Sequence, residues 1–162
     1  MTTFGGERGT LLRYLDQYRT TLTHKCADLD AEQLARRSVP PSTLSLLGLV
    51  RHMAEVERSW FRRLSGEDAA GIYYTEDDVD GDFDGAVADD EVVADAFRSW
   101  HAEIAFADRF LADHPDLGFE TTTPNGRHVQ LRDVLVHLVE EYARHCGHAD
   151  LLRETIDGRV GE

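Results

Sequence analysis

The sequence predicts an all-α fold: a four-helix bundle with a small β-hairpin before the last helix. Four segments repeat apolar residues at three- and four-residue steps, which is the period of an amphipathic helix. A Thr-rich segment with Pro124-Asn125-Gly126 at its centre predicts the hairpin. The chain has 162 residues, of which 41% are apolar, so it fits one domain over residues 1–162 with a sizeable core.

The first half of the chain contains two of the predicted helices and a shorter element between them. The first helix is predicted from the repeat of Leu11, Tyr14, Leu15, Tyr18, Leu22 and Cys26. A short turn or helix over residues 30–37 ends before Pro40-Pro41. Ser42 or Thr43 is predicted to cap the second helix, which runs to about Ser65. Its inward face is predicted to consist of Leu46, Leu49, Met53, Val56, Trp60 and Leu64.

The second half follows a long acidic connection over residues 67–89. A third helix is predicted from Asp90 to Ala112, with inward residues Val93, Trp100, Ile104, Ala107 and Leu111. The hairpin is predicted over residues 119–129. A fourth helix is predicted from Gln130 to Ile156, with inward residues Leu131, Val134, Leu135, Leu138, Tyr142, Ala149 and Leu152.

Charge and cysteine content exclude several classes of partner. The net charge is -14, so nucleic acid is excluded as a partner, because phosphate binding needs a basic surface. An anionic membrane surface is excluded for the same reason. Cys26 and Cys146 are expected to be free thiols in a reducing compartment, and no signal-peptide pattern is visible, so a cytoplasmic location is expected. The longest apolar-rich stretch, Leu44 to Val50, is too short to span a bilayer.

Histidines and one carboxylate predict a metal site between the second and fourth helices. At 100° per residue, Glu141 and His145 lie at the edge of the core-facing surface and stack one above the other, four residues apart. His52 borders the apolar stripe of the second helix. A buried carboxylate beside imidazoles is costly unless it is paired or binds a metal. The pattern therefore predicts one divalent metal held by His52, Glu141 and His145, with open positions typical of catalytic metals.

Other interpretations of the same residues stay open at this stage. His145 and Glu141 would also be satisfied as a hydrogen-bonded pair in the core. His137 is an alternative ligand to His52, and His148 is either a fourth ligand or a residue that binds substrate. The remaining histidines lie on polar faces or in loops and are expected to be solvated; they are His24, His101, His114 and His128.

Two segments resemble a known family. The sequence LLGLVRHMAEVER, from Leu46 to Arg58, is similar to the first histidine helix of the DinB superfamily. The sequence EEYARHCGHADLLRE, from Glu140 to Glu154, is similar to its last helix. Together they resemble the branch called mini-circle proteins, over nearly the whole chain. Many members have histidine at the position of Glu141, but the mycothiol-dependent maleylpyruvate isomerases of the superfamily have glutamate there.

The resemblance implies a DinB-like bundle with a metal triad at His52, Glu141 and His145. The leading hypothesis is a metal-dependent enzyme that activates a low-molecular-weight thiol, mycothiol by resemblance, for S-transfer or thiol-assisted isomerisation of an electrophile. Zinc is the first expectation for the metal, with nickel, iron or manganese as alternatives. His148 and Glu55 are predicted to act beside the ligands or to handle protons. The alternative is a non-catalytic metal-binding or stress-related bundle, acting as a homodimer or by capturing a ligand.

The acidic connection also matches the pattern of a calcium-binding loop. Asp80, Asp82, Asp84 and Glu91 have the spacing of EF-hand ligands. The stretch before them does not show the pattern of an entering helix. We therefore expect a solvated acidic connection in which Asp89 or Asp90 caps the third helix, and no bound calcium.

Overall fold

The computed structural model describes residues 5–67, 69–123 and 126–161. They contain four long helices, two short helices and one small sheet. In chain order the elements are α1 (Gly6–Cys26), α2 (Ala31–Ala35), α3 (Leu46–Leu64), α4 (Gly81–Asp84), α5 (Asp90–Asp113), β1 (Glu120–Thr122), β2 (His128–Gln130) and α6 (Leu131–Asp157). The predicted all-α class, with a hairpin before the last helix, is confirmed.

The long helices pack as two pairs that share one core. α3 packs chiefly against α5, and α1 against α6, while a further contact of α3 with α6 joins the pairs. The core between them is built mainly from leucines together with Phe61, Trp100 and Tyr142. The contact of α3 with α6 is the one that brings His52 towards the histidines of the last helix.

The start of α3 differs from the prediction. The helix begins at Leu46, and its cap is Ser45, whose hydroxyl accepts a hydrogen bond from the Gly48 N–H at 3.1 Å. The predicted cap at Ser42 or Thr43 is therefore wrong, because the Ser42 hydroxyl accepts from the Leu44 N–H, two residues further along, and forms a local turn instead.

The start of α5 agrees with the prediction. One oxygen of the Asp89 carboxylate accepts from the N–H groups of Glu91 and Val92, so Asp89 is the cap that the acidic connection was expected to supply.

Most of the predicted inward residues are buried, with instructive exceptions. Tyr14, one of the repeating residues that predict the first helix, is 40% exposed, so this position of the repeat does not belong to the core. Val56 and Trp60 are only half-buried. They follow His52 on α3 and face a pocket as well as the core, which a periodic pattern alone does not distinguish from full burial.

The hairpin is short. β1 pairs antiparallel with β2, and Thr121 lies opposite Val129. The predicted turn falls on Pro124 and Asn125, which lie outside the described residues, while Gly126 has a φ of 82° in the left-handed region that favours glycine.

Exposed large apolar side chains are scattered over the described surface. Tyr14 is the one on α1, and α5 has none among its described residues. The homodimer stays a prediction. No helix within residues 5–67, 69–123 and 126–161 has both the length and the apolar character required to cross a membrane.

A buried polar network crosses the middle of the bundle. Glu57 on α3 is fully buried and accepts hydrogen bonds from the guanidinium of Arg19 on α1 at 2.8 and 2.9 Å. The Tyr142 hydroxyl on α6 donates to the same carboxylate at 2.8 Å, and the Trp100 indole on α5 donates to the Tyr142 oxygen at 2.7 Å. These four residues, called the central network below, tie all four long helices together.

Candidate metal centre

His52, Glu141 and His145 converge, as the sequence predicts. His52 comes from α3, and the other two come from successive turns of α6. One ligand atom of each lies within 4.8 Å of those of the other two. The Nε2 atoms of His145 and His52 lie 3.4 and 3.9 Å from the same Glu141 oxygen, and the two imidazole ring centres are 4.7 Å apart. The three side chains thus face one common point at the boundary between the two helices.

The His52 ring is held from behind by Asp82. Nδ1 of His52 lies 2.7 Å from a carboxylate oxygen of Asp82, whose side chain is nearly buried. A carboxylate can only accept there, so Nδ1 carries a proton and Nε2 is the ring nitrogen that faces Glu141. Phe83 stacks on the same ring with centres 4.9 Å apart. A carboxylate–histidine pair of this kind is the usual support of a metal-binding histidine.

Asp82 is positioned by α4, which lies against α3. The guanidinium of Arg51 donates to the backbone oxygens of Gly81 and Asp82 at 2.9 and 2.8 Å. Residue 81 has no room for a side chain, because a Cβ there would collide with the Tyr73 carbonyl oxygen and crowd Asp78. Asp82 was not predicted to belong to the metal site. Its only sequence signal was membership of the acidic calcium-like pattern, since its approach to His52 depends on the path of the connection.

His145 is the most buried of the three side chains and is neutral. Burial, with the nearby His52 and His148 rings and the Arg144 guanidinium, lowers its pKa to about 3. A neutral imidazole keeps a lone pair available for a metal. Nδ1 of His148 lies 3.3 Å from Nδ1 of His145, the nitrogen opposite the one that faces Glu141. His148 therefore contacts His145 from behind.

Glu55, predicted to handle protons, lies one turn after His52 on α3. One of its carboxylate oxygens accepts hydrogen bonds from the backbone N–H groups of Ile72, at 2.7 Å, and Tyr73. Burial raises the pKa of Glu55, against the opposing effect of these N–H donors. Glu55 thus fastens the 67–89 connection to α3, and its part in proton transfer stays a prediction.

His137 lies on the far side of Glu141. Its Nε2 is 3.9 Å from the Glu141 oxygen that does not face His52, and its ring meets Trp60 edge-on with centres 4.9 Å apart. Among the residues that the structure describes, the three side chains placed to hold one metal ion are His52, Glu141 and His145, called the metal-competent group below. His137 is not one of them.

Three of the four histidines expected to be solvated are exposed, namely His24, His101 and His128. His114 is half-buried instead and stacks on Phe110, with ring centres 4.0 Å apart. It lies at the end of α5, remote in sequence from the metal-competent group.

The residues of the calcium-like pattern have other partners. Asp82 is engaged with His52, and Asp84 forms an ion pair with Arg37 at 3.0 Å. Gly81–Asp84 is a helical turn, which separates these carboxylates from the arrangement of a calcium loop. The absence of calcium binding at this segment stays a prediction, which calcium titration by calorimetry at micromolar concentrations would test.

An open pocket of about 350 Å³ adjoins His52. Its walls come from α3 and from the 67–89 connection, and it is lined by His52, Glu55, Val56, Ser59, Trp60, Tyr74, Val79 and Asp82. The metal-competent group thus has a cleft of ligand size beside it.

Comparison with known proteins gives a family and a fold. The sequence model of a family described as mycothiol-S-transferase matches residues 10–158. Among solved structures, a conserved protein from Enterococcus faecalis superposes with a TM-score of 0.64 at 15% identity, covering 93% of this chain and 96% of that one. At this identity the likeness shows the fold alone. No curated protein matches the chain significantly.

Proposed function

The chain belongs to the mycothiol-S-transferase family, and from this premise we propose that it is a metal-dependent enzyme that activates a low-molecular-weight thiol for transfer of its sulfur to an electrophile. The observation that carries the proposal is the convergence of His52, Glu141 and His145 on one point beside an open pocket. Mycothiol is the proposed thiol, because the family is described by it.

The three side chains fit a divalent metal. Two imidazoles and one carboxylate form the nitrogen and oxygen set that zinc takes in catalytic sites, and nickel, iron and manganese also accept it. The Glu141 side chain is 13% exposed, and its negative charge would balance part of the charge of the ion. A set of three protein ligands leaves room for an exogenous one.

A bound divalent metal would supply the positive charge that favours a thiolate over a thiol at neutral pH. The protein contributes orientation. Asp82 fixes the tautomer and the direction of His52, and the fully helical backbone of α6 fixes the spacing of Glu141 and His145. The thiol proton has to be accepted by a base, and His148 and Glu55 are the proposed carriers.

The transfer step is a substitution at the electrophile and needs no oxidant or reductant. With an aryl halide as electrophile, an electron pair of the thiolate sulfur forms the new carbon–sulfur bond, and the halide leaves with the electron pair of the bond that breaks. The thiol proton goes to the base and then to solvent. In thiol-assisted isomerisation the thiolate would instead add to a carbon–carbon double bond, whose electron pair moves to a conjugated carbonyl oxygen. After rotation about the resulting single bond, that pair re-forms the double bond and the sulfur leaves with the pair of the carbon–sulfur bond.

The non-catalytic alternative predicts a closed site with His148 as a fourth ligand. His148 approaches the ring nitrogen of His145 that faces away from Glu141. This position favours a supporting role for His148 and an open coordination position, which suits the enzyme better than a purely structural metal.

Metal analysis followed by a conjugation assay tests the proposal. The protein as purified should contain about one divalent ion per chain, and it should conjugate mycothiol with 1-chloro-2,4-dinitrobenzene. Removal of the ion with a chelator should abolish conjugation, and its return should restore it. Equal conjugation by metal-free and metal-loaded protein would overturn the proposal. Inactivity of the loaded protein with every thiol and electrophile tried would favour the alternative.

A further inference from the structure

The pocket beside His52 has an apolar wall that the metal-binding residues do not use. Val56 and Trp60 extend from α3 on one side, and Tyr74 and Val79 close it from the 67–89 connection. Trp60 is braced by the edge of the His137 ring. Two aromatic side chains and two valines line this pocket, whose volume is about 350 Å³. Such an apolar lining suits a flat hydrocarbon surface.

The pocket offers no positive partner to an anion. Its described lining contains neither lysine nor arginine, and its two carboxylates are already engaged. Asp82 accepts from His52 and from the Phe83 N–H, and Glu55 accepts from the backbone of the connection. The Arg63 guanidinium lies over the Trp60 ring, 5.8 Å from its centre, but is not part of the lining. In the metal-free protein an anionic ligand would therefore lose hydration beside two carboxylates without gaining a counter-charge from the lining, which is unfavourable.

The pocket also has a direction. His52, Val56 and Trp60 line it at four-residue steps along α3, and Val79, which is 70% exposed, belongs to the same lining. A molecule that lies along Trp60 and Val56 therefore brings one end to the side of the metal-competent group.

We propose that this pocket is the binding site of the electrophile and that it selects neutral, planar aromatic or similarly apolar acceptors. The identification of the ligand as the electrophile rests on the proposed function, but the binding preference of the pocket does not depend on it. Trp60 forms the principal contact surface, and the acceptor carbon lies towards His52, where the thiolate sulfur attacks it.

Two matched, unreactive probes test the preference without metal or thiol. They share one naphthalene ring and differ in charge: 1-naphthylmethanol and 1-naphthoate. Isothermal titration of the protein after chelation should give one site for the neutral alcohol and at least about 10-fold weaker binding of 1-naphthoate. Binding of 1-naphthoate that is as tight as that of the alcohol would overturn the proposal.

Substitutions of Trp60 locate the site. Trp60→Ala should weaken binding of 1-naphthylmethanol at least about 10-fold, because it removes the flat wall, whereas Trp60→Phe should stay within about 3-fold. Tyr14→Ala removes an exposed aromatic side chain on α1 and should change nothing. Unchanged binding in Trp60→Ala, with far-UV circular dichroism that confirms folding, would place the probe elsewhere and refute the proposal.

A kinetic measurement separates this proposal from the proposed function. In the metal-loaded enzyme, Trp60→Ala should raise KM for 1-chloro-2,4-dinitrobenzene at least about 10-fold and leave KM for mycothiol within about 2-fold. A rise in KM for the thiol instead would assign the pocket to the thiol and overturn the inference. If the protein binds 1-naphthylmethanol through Trp60 but transfers no thiol, the pocket preference stands and the proposed function fails.

Discussion

Two clusters of polar side chains lie between the helices, the central network and the metal-competent group, and they balance their charges differently. In the central network the Glu57 carboxylate receives a two-point contact from Arg19 and a hydroxyl from Tyr142, so the chain supplies its own counter-charge. In the metal-competent group the Glu141 carboxylate lies between two imidazoles, and the guanidinium that approaches it, from Arg144, is exposed and 3.4 Å away.

The difference separates a structural cluster from a ligand-binding one. A buried carboxylate with an arginine partner has its charge balanced within the chain, so removal of the carboxylate lowers the stability of the fold. A carboxylate that lies beside two imidazoles creates a region of negative potential, and this region attracts a cation. Substitutions in the central network should therefore lower the stability of the protein, whereas substitutions in the metal-competent group should lower metal affinity.

The largest expected effect is on stability. Glu57→Ala leaves the buried Arg19 guanidinium without its main partner, and we expect the free energy of unfolding in urea, followed by circular dichroism, to fall by about 3–5 kcal/mol. Asp108→Ala is the matched control, because Asp108 contacts the same arginine at 3.0 Å but its side chain is 60% exposed. It should cost less than about 1 kcal/mol. Equal losses in the two variants would remove the distinction between the clusters.

The next effect is on metal affinity. His145→Ala removes one of the proposed ligands, so competition with a chromophoric chelator should show an affinity for zinc that is lower by more than about 100-fold, and thiol transfer should disappear with it. The metal-free variant should still fold, since the core does not include the ion. His101→Ala, an exposed histidine on α5, should retain full affinity. A variant that binds zinc like the wild-type protein would eliminate His145 as a ligand.

Asp82→Asn sharpens the comparison, because it changes the support and leaves every proposed ligand in place. An asparagine can present its NH₂ group to His52 and no longer enforces the proton on Nδ1. Metal affinity should fall about 10- to 100-fold, as for other residues that support ligands. Asp84→Asn, two residues further along and paired with Arg37 on the surface, should have no such effect. Similar losses in both variants would point to the local fold of α4 instead.

Stability of the metal-free protein should depend on pH through His145. Its pKa is about 3 in the folded state, below the ordinary value of 6.5, so between these values the unfolded chain binds a proton that the folded chain does not. Stability from this group is therefore present above pH 6.5 and is lost as the pH falls towards 3. Between pH 7 and pH 5 the wild-type protein should lose about 1–2 kcal/mol more than His145→Gln in urea unfolding. Parallel curves would contradict this prediction.

The smallest expected effect belongs to His148. Its contact with His145 is longer than the contact of Asp82 with His52, at 3.3 against 2.7 Å, and it brings no fixed negative charge. His148→Ala should keep full metal content at saturation, with an affinity loss of less than about 10-fold, while turnover falls. Loss of the metal from this variant would make His148 a ligand and would revive the closed-site alternative.

The helical periodicity was enough to predict the long helices and the three proposed ligands, because these features are local. Glu141 and His145 are four residues apart on one helix, and the direction of His52 follows from the apolar stripe of α3. The later start of α3 was missed, since a competing serine turn decides it.

The supporting residues could not be predicted in the same way. Asp82 reaches His52 from a connection whose path depends on Arg51 and Gly81, so no spacing rule finds it. The central network left a fainter signal. Arg19 is four residues after Leu15, within the apolar stripe of α1, and a charge at such a position indicates a buried partner. Its partner on another helix required the tertiary structure.

The proposed ligands are far apart in the order of synthesis, with residue 52 on α3 and residues 141 and 145 on α6. A nascent chain therefore carries His52 and Asp82 long before the other two ligands exist, and the site is complete only when translation has passed His145. Intermediates that stop before residue 145 lack the full set of proposed ligands, so a bound ion could not template the early folding of α1, α3 and α5. Capture of the proposed metal would therefore follow the synthesis of α6, and the loaded fraction of the protein in a cell would report on metal supply after that point.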